Sequence, residues 1–258
     1  MKRNQSSLAV AVLVSMVGAG ACRADAGPQP ARLGVEVLAT TPHDTQAFTQ
    51  GFEVVDGVRY EGTGMWGRST ITATDNATGA ELARADLPAP LFGEGVTRAG
   101  DIVWQLTWQD GLAIARDPNT LAEQRRVPYQ GEGWGLCAQP DRLVMSDGTE
   151  TLTFRDRVTF EKVGSVTLTN YPGAKPNELD CAPDGTVYAN NYQTDEILHI
   201  DPQTGRVLAV IDAHGLLSDA ERANADVLNG IAHIPGTDRF LLTGKYWPHV
   251  FEVRFVPR

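Results

Sequence analysis

One carboxylic acid, Glu94, stands in register with amides and an indole at a recurring position of the chain: Gln50, Glu94, Trp134, Asn177 and Asn229. Aromatic residues crowd the same neighbourhoods: Phe48, Phe92, Trp108, Trp134, Tyr192 and Trp247, with Lys245 beside the last. An apolar cage with a few converging polar groups and one acid suits a pocket for a small molecule or a peptide end. An apolar surround would raise the pKa of such an acid. The same residue types also serve as tight strand entries and as fillers between sheets. At this level an enzyme, a non-catalytic binding module and a metal-dependent hydrolase all stay open. The hydrolase would want several carboxylates at one mouth. The recurring positions supply one, with Glu178 directly after its neighbour.

The elements that must gather these residues are repeats. Each position opens the same phrase: a polar or aromatic residue, a small residue (Glu178 in one unit), then an aliphatic or aromatic one. The openers are Gln50-Gly51-Phe52, Glu94-Gly95-Val96, Trp134-Gly135-Leu136, Asn177-Glu178-Leu179 and Asn229-Gly230-Ile231, at periods of 44, 40, 43 and 52 residues. A second mark follows thirteen residues later, or fourteen in the last unit: Thr63, Thr107, Asp147, Asn190 and Thr243. Between them lie β-prone runs such as Val58-Arg59-Tyr60, Ile102-Val103-Trp104 and Leu143-Val144-Met145. Turns at Asp75, Asp117, Asp156 and Asp201 carry Thr three residues on, and such side chains can bond the local backbone. Four short strands per unit at this period describe a propeller blade.

The fifth unit lacks its outer strand. Gly34–Ala39 near the other end can supply it and leave no unpaired edge in that unit. The expectation is an all-β, five-bladed β-propeller closed by an N-terminal strand. One short helix, over Ser218–Asn224, falls in the extra length of the longest period.

Net charge is −10, from 22 Lys+Arg against 32 Asp+Glu, which argues against nucleic acid or an anionic membrane as partner. Residues 1–26 read as a signal peptide: Lys2 and Arg3, an apolar stretch from Leu8 to Met16, then small residues. Ala19-Gly20-Ala21-Cys22 resembles a lipoprotein box, with a lipid anchor at Cys22, and Ala24-Asp25-Ala26 suits ordinary cleavage. Either way the protein is exported: periplasmic, anchored at the outer membrane, or secreted. Residues 27–258 then form a single domain, and a closed ring needs no partner, so a monomer is expected. Cys137 and Cys181 lie three and four residues after their openers. Alternation along strands would point them apart, so two buried free thiols are expected. No Cys/His cluster has zinc spacing, and no cofactor or metal is assigned.

From His43 to Phe255 the chain resembles the plant- and bacterial-type glutaminyl-peptide cyclotransferases. The matching phrases include Ala47-Phe48-Thr49-Gln50-Gly51, Phe92-Gly93-Glu94-Gly95, Gln105-Leu106-Thr107-Trp108 and Glu132-Gly133-Trp134-Gly135-Leu136. Asn177-Glu178-Leu179, Tyr188-Ala189-Asn190, Asp226-Val227-Leu228-Asn229-Gly230 and Thr243-Gly244-Lys245 complete them. The resemblance implies a zinc-independent aminoacyltransferase. It would convert an N-terminal glutamine of a peptide or protein into pyroglutamate and release ammonia. It also implies Glu94 as the acid/base, with Gln50, Asn177 and Lys245 as polar groups of the pocket. Phe48, Phe92, Trp108 and Trp134 would form its wall. Tyr192 stands where family members commonly carry Trp, and it can line the same wall.

Overall fold

The computed structural model describes residues 29–258, so the expected signal segment and Cys22 lie outside the described residues. A long strand, β1 (Ala31–Pro42), comes first. The first unit holds β2 (Thr49–Val55), β3 (Val58–Thr63), β4 (Thr70–Asp75) and β5 (Glu81–Asp86). The second holds β6 (Gly93–Ala99), β7 (Ile102–Thr107), β8 (Leu112–Arg116) and β9 (Glu123–Pro128). The third holds β10 (Leu136–Ala138), β11 (Leu143–Met145), β12 (Thr151–Arg155) and β13 (Lys162–Thr167). The fourth holds β14 (Pro176–Cys181), β15 (Val187–Asn191), β16 (Glu196–Asp201) and β17 (Arg206–Asp212). After the short helix α1 (Asp219–Arg222), the last unit has β18 (Leu228–His233), β19 (Arg239–Gly244) and β20 (His249–Pro257).

The fold is all-β, and its small sheets are arranged as in a propeller. The first three units are separate four-stranded antiparallel sheets. The fourth and fifth merge into one eight-stranded sheet, in the order β14-β15-β16-β17-β1-β20-β19-β18. There β1 runs antiparallel to β20, from Leu33 opposite Pro257 to Pro42 opposite His249. The N-terminal strand thus supplies the fourth strand that the last unit lacks. It also pairs in parallel with β17, Ala31 opposite Ala209, a link that the sequence does not announce.

The burial pattern follows position within each unit. First strands such as β6, β14 and β18 are buried almost throughout, whereas the fourth strands β5, β9 and β13 are mostly exposed; β17, which β1 covers, is mostly buried. Charged outer strands discourage pairing with another chain. The core lies between sheets. Trp104, Leu106 and Ala113 pack on Leu136, Leu143 and Phe160. Phe52 and Val54 of the first unit pack on Ala232, Leu241 and Val250 of the last. The first strands touch in a cycle, β2 to β6 to β10 to β14 to β18 and back to β2.

The marks between strands do what their chemistry allows. Asp75, Asp117 and Asp156 each accept from the N–H groups two and three residues on and from the Thr hydroxyl. Thr107 and Thr243 donate to carbonyls of the third strand, at Leu112 and His249, both at 2.9 Å. Ser218 caps α1 in a reciprocal arrangement with Glu221, so the expected helix is present but shorter.

Cys137 and Cys181 form a disulfide, contrary to the expectation of free thiols. Opposite faces diverge within one sheet. Between neighbouring sheets stacked face to face, however, the front of one strand looks at the back of the next. Offsets of three and four therefore turn the two thiols toward each other, with their Cα atoms 5.3 Å apart.

Candidate active site

The openers are aimed by irregular backbone. Register shifts fall between Thr49 and Gly51, Gly93 and Val96, Pro176 and Leu179, and Leu228 and Ile231. Gln50, Glu94, Asn177 and Asn229 sit inside these bulges, which break the ladder and re-aim a side chain. Trp134 precedes β10 and donates its N–H to the Ser146 carbonyl. The small residue after the opener permits close approach at the axis. A Cβ on Gly95 would lie 2.7 Å from the Trp134 carbonyl, and one on Gly135 would run into that of Asn177. The exception, Glu178, ties its own strand to the first strands of the first and last units. Its carboxylate accepts from the N–H of Phe52 at 3.2 Å and of Ile231 at 2.8 Å.

One cavity of about 300 Å³ takes all nine expected site residues: Phe48, Gln50, Phe92, Glu94, Trp108, Trp134, Asn177, Tyr192 and Lys245. Two further candidates, Trp247 and Asn229, lie elsewhere. Trp247 is buried in the core between the last two units and donates its indole N–H to the Asp226 carbonyl. Asn229 lies behind the cavity and donates to Thr49 O at 2.9 Å and to Gln50 Oε1 at 3.3 Å. That donation fixes the Gln50 amide, whose Nε2 then donates to Glu94 Oε1 at 2.8 Å.

Glu94 is 3% exposed. Burial drives its pKa well above the usual carboxylate range; the Lys245 charge opposes the shift and the Glu132 charge adds to it. Burial also lowers the Lys245 pKa, against the pull of Glu94 and Asp226. The Lys245 Nζ lies 4.5 Å from the Phe48 ring centroid and 5.6 Å from that of Tyr192. The wall is built of aromatic contacts: Phe48 on Phe92 at 6.1 Å, Phe92 against Trp108 at 5.7 Å, and Tyr192 edge-on to Trp134 at 5.1 Å.

Three contributors escape the sequence reading. Met65 and Trp66 line the cavity from a turn outside the repeated phrases, so periodicity says nothing of them. Glu132 receives both indoles on one oxygen, Trp108 Nε1 at 2.8 Å and Trp134 Nε1 at 2.9 Å. Burial alone would raise its pKa, but these bonds and one from Gln109 bring it below the ordinary value. Its place two residues before Trp134 was the available signal.

A model of the family described as glutamine cyclotransferase matches residues 8–255. The glutaminyl-peptide cyclotransferase of Arabidopsis thaliana is 34% identical over 229 residues, covering 85% of this chain and 71% of that relative. The crystal structure of Myxococcus xanthus glutaminyl cyclase superposes with a TM-score of 0.78 at 37% identity, covering 88% of this chain and 99% of that one. With agreement along nearly its whole length, the chain belongs to the glutamine cyclotransferase family.

Proposed function

We propose that this protein is a glutaminyl-peptide cyclotransferase that closes the N-terminal glutamine of a peptide or protein to pyroglutamate, with Glu94 carrying the proton. The observation that carries this reading is the carboxyl of Glu94, the one acid among the residues that line the aromatic cavity, held there by Gln50. The nucleophile is the substrate's own α-amine, so the site has only to fold the glutamine side chain into a reactive shape. Phe48, Phe92, Trp108, Trp134 and Tyr192 supply walls for that shape. A free α-amine titrates at about 7.7–8.0, so a useful share is neutral near neutral pH.

The amine nitrogen bonds to the γ-carboxamide carbon, and negative charge develops on the amide oxygen. The second N–H of Gln50, the amide of Asn177 and the ammonium of Lys245 all line the cavity and can stabilise that oxygen. Glu94 takes the proton that the amine loses and gives it to the departing nitrogen. The carbon–nitrogen bond breaks, ammonia leaves and the lactam remains. No atom is needed beyond those of the substrate, and the steps use only side chains of this chain. The test incubates the protein with a Gln-initiated peptide, with and without EDTA. The expected product is the ammonia-loss mass in both; an inert protein refutes cyclisation, and activity lost only with EDTA refutes the metal-free chemistry.

The same reading extends to architecture and place. Five units whose first strands touch in a cycle, with β1 filling the last, support a five-bladed propeller. The Cys137–Cys181 bond suits an oxidising compartment and so supports export.

A further inference from the structure

We propose that Met65 and Trp66 form a subsite for the second residue of the substrate and select an apolar or aromatic side chain there. The proposal rests on the cyclotransferase reading above and deepens it. Trp66 is 61% exposed, more than any other large apolar side chain among the described residues. A lone exposed indole carries little meaning by itself. This one lines the cavity that holds Glu94 and continues its wall outward. Its ring meets Phe92 edge-on at 5.0 Å and Trp108 at 5.9 Å, and those two meet each other at 5.7 Å. The indole therefore extends the wall from the 3% exposed acid to open solvent.

The turn that presents it is built rather than loose. Ser69, fully buried, accepts from the N–H groups of Met65 and Gly93, both at 2.9 Å, and donates to the Met65 carbonyl at 2.7 Å. Arg68 N–H closes the turn on Met65 O at 3.0 Å. Met65 is held at φ 153°, which L residues rarely adopt. Strain of this kind persists where surrounding contacts fix it, and it gathers at ligand clamps.

What meets this surface follows from the direction of the substrate. The terminal glutamine must reach Glu94, at the closed end of the cavity. The peptide then leaves through the mouth, and one residue of extended chain spans about 3.3–3.6 Å. The second side chain accordingly comes to rest beside Trp66 and Met65.

Steady-state kinetics on Gln-Phe-amide and Gln-Gly-amide test this. The wild-type protein is expected to favour Gln-Phe-amide in kcat/KM. In Trp66→Ala the ratio of the two kcat/KM values falls about tenfold, mainly through KM, the size expected of a lost aromatic contact. Trp66→Phe is expected to keep most of the preference. A ratio that Trp66→Ala leaves unchanged overturns the subsite, whether total activity is kept or reduced. So does a wild-type protein with no preference for Gln-Phe-amide. A wild-type protein that releases no ammonia from either peptide overturns cyclisation itself, a distinct result.

Discussion

Glu94 owes its setting to two residues outside its own phrase. Gln50 holds it by a hydrogen bond, and Asn229 fixes which end of that amide faces it. Replacing Glu94 by Gln keeps the shape and removes the proposed shuttle. The expected loss in kcat is about 10²–10⁴-fold, with unchanged circular dichroism. Near-wild-type turnover would exclude the role. Two neighbours tune the acid in opposite senses. Lys245 lowers its pKa and Glu132 raises it. Lys245→Met should therefore move the acid limb of kcat to higher pH, and Glu132→Gln should move it to lower pH. A Gln at 132 can still accept both indoles through its carbonyl, so its effect on the limb reports charge rather than wall position. Limbs that shift in the same direction would contradict this account.

At the scale of the element, bulges and close approach decide where side chains point. An opener inside a regular strand would face a neighbouring sheet; inside a bulge it can face the mouth. The glycine beside it lets adjacent first strands come near enough for one cavity to collect residues from several units. Gly135→Ala tests this, because the added methyl meets the backbone of Asn177, which cannot swing away as a flexible side chain would. A cost of at least about 1–3 kcal/mol is expected in urea unfolding. Activity should fall as well, since Asn177 itself lines the cavity. Unchanged stability and turnover would show that the ring has slack at this point.

Across the whole molecule, the first strands are sheet edges, and buried carboxyls satisfy several of their N–H groups. Glu178 serves Phe52 and Ile231, Asp180 serves His233, and Glu53 serves Arg98 along with the Thr97 hydroxyl. Burial raises Glu53 from 4.5 to about 7 and Asp180 from 3.8 to about 6. The folded state thus holds these protons more tightly than the unfolded chain. Their contribution to stability is full below about pH 4 and is lost as pH rises through about 6 to 7. Glu53→Gln removes one such group. The melting temperature of the wild type, relative to Glu53→Gln, should be more favourable at pH 5 than at pH 8 by a few degrees. An equal difference at both pH values would show that Glu53 titrates normally.

The sequence by itself determined what is local and repeated. It held the five openers, the Asp–Thr turns, the strand missing from the last unit and the place of β1. Through its resemblance to a known family it also pointed to nine of the eleven residues that line one cavity. These are legible because each unit must satisfy its own turns and bury its own alternating faces, and that leaves a period. Only the tertiary structure decided how units meet. It turned Cys137 toward Cys181, sent Trp247 into the core, placed Asn229 behind Gln50, set both indoles on Glu132 and brought Met65 and Trp66 to the mouth. Those outcomes depend on which face of one sheet looks at the next and on where bulges break the ladder. Neither leaves a regular spacing along a single chain.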